Sequence, residues 1–238
     1  MPAPRPLVNF HLGTAPDDHG RTFDAILAHD DEWLEYTHNF IQWLFPLTSI
    51  SSANPTAPIL DAAQIAEFRS NPALRKQLLR AFDRMLDFYG LTRNLDSINK
   101  SPNWEQRKSL WFTHPSHNHL RITRILKCLN TLEMGQDARI FYDRLVALKE
   151  TEPDCGIPAT AFTHWPVIAR NRHAGTHTSA PPSNGMTDRT TMMAPQNTAC
   201  WSWRDASLRK LASHGSDRWV RSSWMPTVNW RIRSFTGF

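Results

Sequence analysis

Apolar residues recur at helical spacing through most of the first 168 positions, and almost nowhere at the two-residue alternation of a half-buried strand. The densest block is Phe40, Ile41, Leu44 and Phe45, which share one helical face with Trp33 and Tyr36 upstream. Asp30 is placed to cap this segment, and acidic Asp31 and Glu32 suit its first turn, where the helix dipole favours negative charge. Pro46 ends it, because proline donates no hydrogen bond and drives the preceding residue out of the α region. The pattern therefore predicts one helix from Asp30 to Phe45, with Phe40, Ile41, Leu44 and Phe45 as a core anchor and Gln42 and Trp43 on its flanks.

The same reasoning places further helices. Asp24 to Leu27 is long enough for one turn, and Asp61 to Gln64 has the spacing of a capping box. Asn71-Pro72 pairs a cap residue with proline at the first helical position. The helix it opens buries Leu74, Leu78, Phe82, Met85, Leu86 and Tyr89, and Gly90 closes it as a left-handed cap. Pro102 to Trp111 is a shorter candidate, and Thr113-His-Pro-Ser-His breaks it. From Ser116 or Asn118 a helix runs with Leu120, Ile122, Ile125, Leu126, Leu129 and Leu132 on its apolar side. Asp137 is placed to cap the next, burying Phe141, Leu145 and Leu148, and a last segment from Pro158 carries Ala161, Phe162 and Trp165 until Pro166 interrupts it.

The expected class is all-α, a single helical domain of six or seven helices with long loops over residues 23–170. Residues 1–22, with Pro2, Pro4, Pro6 and Pro16, read as a flexible leader, and 171–238 as a low-order tail.

Charge sharpens that division. Through Asp154 there are 17 basic and 19 acidic side chains; from Cys155 onward there are 10 and 3, a surplus of +7. Trp201, Trp203, Trp219, Trp224 and Trp230 alternate irregularly there with arginines, so the tail is either a basic–aromatic appendage or the product of a shifted reading frame. An appendage of that kind suits weak nucleic-acid association by phosphate contact and base stacking. Cys128, Cys155 and Cys200 form no paired framework, which fits a reducing compartment. With no apolar run after Met1-Pro-Ala-Pro-Arg-Pro and no window long enough to span a membrane, a cytoplasmic protein without a transmembrane segment is expected.

Two clusters could carry chemistry. His114, His117 and His119 could ligate a metal and support a metal-assisted enzyme, although no carboxylate lies among them and the spacing matches no strong metal signature. The commoner role for Ser116, His117 and Asn118 is to satisfy free N–H groups at the start of a helix. Arg121, Arg124 and Lys127 share a stripe near that helix's start, where its dipole gives them nothing, so they call for an acidic partner in the fold or in a ligand. Phosphate-binding glycine loops and nucleophile motifs are absent, so no catalytic residue, metal or cofactor is assigned.

His38-Asn-Phe-Ile-Gln-Trp-Leu-Phe-Pro-Leu47, Met85-Leu-Asp-Phe-Tyr-Gly90 and Asn118-His-Leu-Arg-Ile-Thr-Arg-Ile-Leu-Lys-Cys-Leu129 come in one order. Together they resemble the conserved region of the opioid growth factor receptor family over about residues 24–150. The resemblance reaches Ile41 to Pro46, Phe88 to Gly90, Ser116 to Asn118 and Arg121 to Leu126. It implies a non-enzymatic receptor-like binding module that is not of the seven-helix type, with an enkephalin peptide as ligand and nuclear association in animals. It transfers no catalytic residue. The tail lacks both the acidic repeats and the basic nuclear-localisation cluster of the animal proteins. On this reading Gln42, Trp43, His117, Asn118, Arg121 and Arg124 are the candidate binding residues for a peptide or protein ligand, and Phe40, Ile41, Leu44, Phe45, Phe82, Tyr89, Ile125 and Leu126 are core.

Overall fold

The computed structural model describes residues 5–170, and the basic, Trp-rich stretch from 171 to 238 lies outside the described residues. Ten helices and one small hairpin occur among them. In order they are α1 (Pro6–His11), α2 (Phe23–Ala28), α3 (Asp31–Tyr36), α4 (Ile41–Leu44), α5 (Ala62–Ser70) and α6 (Pro72–Phe88), then strands β1 (Leu91–Arg93) and β2 (Ile98–Lys100), then α7 (Trp104–Trp111), α8 (Asn118–Thr131), α9 (Gly135–Thr151) and α10 (Ala159–Arg170). The two strands pair antiparallel with Thr92 opposite Asn99. The all-α expectation holds, and no helix among the described residues is long and apolar enough to cross a membrane.

Several predicted caps are in place. Asp30 accepts from the Trp33 amide at 2.8 Å, Asp61 from the Gln64 amide at 2.7 Å, and Asn71 from the Ala73 amide at 2.9 Å. Asp137 is not a cap: α9 begins two residues earlier and Asp137 lies in its first turn. Pro166 does not end α10, which continues through it to Arg170.

Two larger expectations need correction. The leader is not flexible over its length, since Pro6 opens α1 and Leu7, Val8, Phe10 and His11 are all fully buried. Pro6 starts a helix rather than preventing one. The predicted helix from Asp30 to Phe45 is two, α3 and α4, separated by Thr37 to Phe40. Thr37 is extended, with φ −93° and ψ 126°, and its carbonyl is taken by a side chain from α8 instead of a helical amide.

The core lies where α8, α9 and α10 pack together and α6 runs beneath β1. Phe82 of α6 meets Phe141 of α9 edge-to-face at 5.4 Å, and Trp165 of α10 donates its indole N–H to Thr123 of α8 at 2.8 Å. Arginines close several helix C-termini, where backbone carbonyls lack helical partners. Arg84 of α6 donates to the Leu27 and His29 carbonyls after α2, and Arg107 of α7 to the Phe88 carbonyl at the end of α6. Arg69 and Arg75 reach the Thr131 and Leu132 carbonyls at the end of α8.

Two glycines are demanded by close approach. Gly90 has φ +76°, and a Cβ there would stand 2.9 Å from both the Arg107 Cβ and the Trp104 Cα. At Gly156 a Cβ would stand 2.3 Å from the Thr113 carbonyl oxygen, because the α9–α10 connection bonds there: its amide donates to the Phe112 carbonyl at 2.7 Å. Gly90→Ala and Gly156→Ala are each expected to cost about 2–4 kcal/mol of unfolding free energy. Urea denaturation checks this, and variants as stable as the parent would show that the two backbone approaches are not tight.

Candidate functional site

The candidate residues converge on one segment, the strap from α3 through α4 to Phe45, which is held from both sides. On one side is the N-terminal half of α8. Arg121, 4% exposed, donates from Nη2 to the Glu35 carbonyl at 3.2 Å and the Thr37 carbonyl at 2.8 Å, and from Nη1 to Asn118 Oδ1 at 3.1 Å. Its guanidinium lies over the Phe40 ring, 5.4 Å from the centroid. One turn on, Arg124 donates to the Phe45 carbonyl at 3.1 Å. Arg121 thus closes the end of α3 and Arg124 the end of α4, so the partner both required is the negative pole of a helix. Lys127 is exposed and takes no part in the clamp.

Among the described residues, the carboxylate facing this side is Glu35. It accepts from Asn118 Nδ2 at 3.0 Å through one oxygen, and its other oxygen is 3.5 Å from His117 Nε2. His38 completes the arrangement, its ring edge-to-face with His117 at 4.8 Å and its Nδ1 3.4 Å from Arg121 Nη2, which places the proton on Nε2. Desolvation and the Arg121 charge hold both imidazoles below their ordinary values, His117 at about 4. The Tyr89 hydroxyl, fully buried and without a hydrogen-bond partner, feels both Arg121 and Glu35; burial raises its pKa.

On the other side stands the segment from α1 to Arg21. Trp43 is 4% exposed, packs against Phe10 with ring centroids 5.2 Å apart, and donates its indole N–H to Asp18 at 2.9 Å. Its carbonyl accepts from His11 Nε2 at 3.0 Å. Asp17 pairs with Arg21, which donates in turn to Asn39 Oδ1 at 2.9 Å. The side chains of Asp17, Asp18 and His19 come close enough together to be considered for a cation, but Asp17 is engaged by Arg21, and Asp18 by Trp43 and Thr56. Gln42, 3% exposed, reaches only Ser51 Oγ at 3.4 Å.

Most of the candidates therefore meet at this strap, as part of the structure that holds it. Gln42 and Trp43 are buried within it, and Asn118, Arg121 and Arg124 clamp it. His114, His117 and His119 do not converge. His119 donates to the Trp111 carbonyl at 2.7 Å beside α7, His114 lies 3.3 Å from the Thr113 hydroxyl, and His117 faces Glu35. Sequence reasoning missed Glu35, His11 and the Asp17–Arg21 loop. The alternation of acidic and basic side chains at Asp17, Asp18, His19 and Arg21 was the available signal, hidden by the surrounding prolines.

The clamp has measurable consequences. Arg121→Ala leaves the Glu35 and Thr37 carbonyls without their partner and is expected to cost about 3–5 kcal/mol, against no more than about 0.5 kcal/mol for Lys127→Ala. Trp43→Ala is expected to cost about 3–5 kcal/mol. Denaturant titration checks all three, and an Arg121→Ala variant as stable as Lys127→Ala would remove the clamp.

A second consequence concerns pH. His11 is fully buried and held at about 4, chiefly by desolvation. A histidine whose folded value is depressed stabilises the fold above its unfolded value of 6.5, and that stability is lost as pH falls toward the folded value. His11, and less strongly the half-buried His117, should lower the unfolding free energy progressively as pH falls from 6.5 toward about 4. Unfolding free energies at pH 7, 6 and 5 test this, and a flat profile would contradict it.

Residues 11–151 match the family model described as the opioid growth factor receptor (OGFr) conserved region. The opioid growth factor receptor of Mus musculus is 41% identical over 102 residues, covering 42% of this chain and 16% of the mouse protein. That of Homo sapiens is 32% identical over 147 residues, 59% of this chain and 21% of the human protein. The opioid growth factor receptor-like protein 1 of Xenopus tropicalis is 40% identical over 108 residues, 43% of this chain and 20% of the frog protein. The chain thus spans about a fifth of the length of these relatives. No solved structure matches it. The region matched takes in the strap and both sets of residues that hold it, and the chain belongs to the opioid growth factor receptor family.

Proposed function

We propose that this domain is a non-catalytic binding module for a peptide of the opioid growth factor type, received on the outer surface of the Arg121 clamp. The observation that carries the reading is the exposure of two large apolar side chains beside the buried polar groups of the clamp. Tyr36 is 76% exposed and Leu120 53% exposed. Tyr36 lies on the chain between Glu35 and Thr37, whose carbonyls Arg121 holds. Leu120 shares a helical face with His117, Arg121 and Arg124 by its spacing along α8. Exposed His38 and the partly buried Glu35 and His117 add hydrogen-bonding groups close to them in the chain. Apolar side chains with adjacent polar groups are what a peptide contact requires, and tyrosine is a favoured anchor at such contacts.

The non-catalytic part of the proposal rests on how the polar groups are used. Arg121, Arg124, Asn118 and His119 are engaged with backbone carbonyls or with one another, and the clamp directs no buried nucleophile toward solvent. The names of the relatives supply the peptide class.

Fluorescence anisotropy with a labelled opioid growth factor peptide tests both the ligand and the location. Tyr36→Ala and Leu120→Ala are each expected to weaken binding about tenfold, a loss of about 1.4 kcal/mol, with the melting temperature unchanged. Unaltered affinity in both variants would move the site elsewhere, and no measurable binding by the parent protein would overturn the ligand class.

A further inference from the structure

The seam between α3 and α8 places three basic side chains around one carboxylate. Arg121 is a permanent cation, His38 and His117 are edge-to-face at 4.8 Å, and Glu35 is the only acid that faces them from α3. Neutral imidazoles make this arrangement workable. His38 Nδ1 accepts a hydrogen bond from Arg121, which a protonated ring cannot do. Protonation of His117 adds a second cation to a seam whose single anion is already shared with Asn118.

We propose that His38 and His117 form an acid-released latch, whose protonation frees the α3–α4 strap from α8 while the core of α6, α8, α9 and α10 stays folded. The strap is suited to separate release because α3 has six residues and α4 has four, too few to persist as helices without tertiary contacts. The core helices α6 and α9 have 17 residues each, and their packing on neighbouring elements involves neither histidine.

Elsewhere on the strap, Asp31 of α3 pairs with Arg84 of α6 at 2.8 Å and lies 3.4 Å from Arg107 of α7, and Arg124 holds the Phe45 carbonyl, none of which titrates as a histidine does. The buried Tyr89 phenol, next to Arg121 and Glu35, stays neutral throughout the acid range. His119 points away, toward the Trp111 carbonyl, with His114 beyond it. On the opposite side of the strap, Asp17, Asp18, His19 and Arg21 surround Asn39 and Trp43, and His11 lies under the Trp43 carbonyl. His11 is the rival trigger, and the test must separate it from the pair. The depressed values of His38 and His117 set the direction of the effect: a released strap returns both rings to ordinary basicity, so acidification below 6.5 favours release.

Amide hydrogen exchange on the full-length protein at pH 7.5 and 5.0, normalised to intrinsic exchange rates, reads the latch directly. Amides of residues 31–45 are expected to lose at least tenfold in protection at pH 5.0, and those of α6 and α9 less than threefold. His38→Gln/His117→Gln should keep the strap protected at pH 5.0. His38→Gln alone, at an exposed position, should reduce the pH response if the double variant does not fold. Unchanged strap protection in the parent protein would overturn the proposal, as would parallel loss in α6 and α9. A pH response as large in the histidine variants as in the parent would transfer the effect to His11 and also overturn it.

Discussion

The structure depends on arginine side chains meeting the carbonyl ends of helices. The strap and the elements around it are built from helices of four to six residues, which cannot form by propensity alone and end in unpaired carbonyls. Arg84 closes α2, Arg121 closes α3 and Arg124 closes α4. Each guanidinium offers several donors in a rigid fork, so one side chain satisfies two carbonyls and also opposes the negative helix pole. Lysine, with a compact point charge on a flexible stem, would not reproduce that geometry.

This constraint explains why so much of the matched region is polar yet buried. Asn118 and Arg121 are nearly inaccessible because their task is internal. The polar groups of α8 and the aromatic block of the strap interlock, with Phe40 under the Arg121 guanidinium and Phe45 offering its carbonyl to Arg124. Other side chains of the same two helices face outward, among them Tyr36 and Leu120. Buried clamp residues and exposed side chains thus alternate along the same two elements.

The clamp also carries an electrostatic liability. Among the described residues, Glu35 is the acid that faces Arg121, His117 and His38, and neutral imidazoles suit that seam. Burial enforces that neutrality, so the strap's hold on α8 is tied to proton concentration in a way that the helix core is not.

The helical class, the span of α6, the caps at Asp30, Asp61 and Asn71 and the left-handed close at Gly90 were all legible in the sequence, because each rests on local spacing or on one residue's backbone preference. The aromatic block from Phe40 to Phe45 was likewise recognisable as a core anchor. Its division into α3 and α4 was not. Apolar periodicity runs through Thr37 to Asn39, and only the Arg121 and Arg21 side chains, 84 residues ahead and 16 behind, show why the backbone leaves the helix at Thr37. The packing of α1 was hidden for the same reason: its prolines suggested a loose end, whereas Leu7, Val8 and Phe10 had a cavity to fill only once the strap was in place. The family resemblance singled out Gln42, Trp43, Arg121 and Arg124. Tertiary structure decided that they hold the chain together, because a guanidinium's role is set by what lies opposite it.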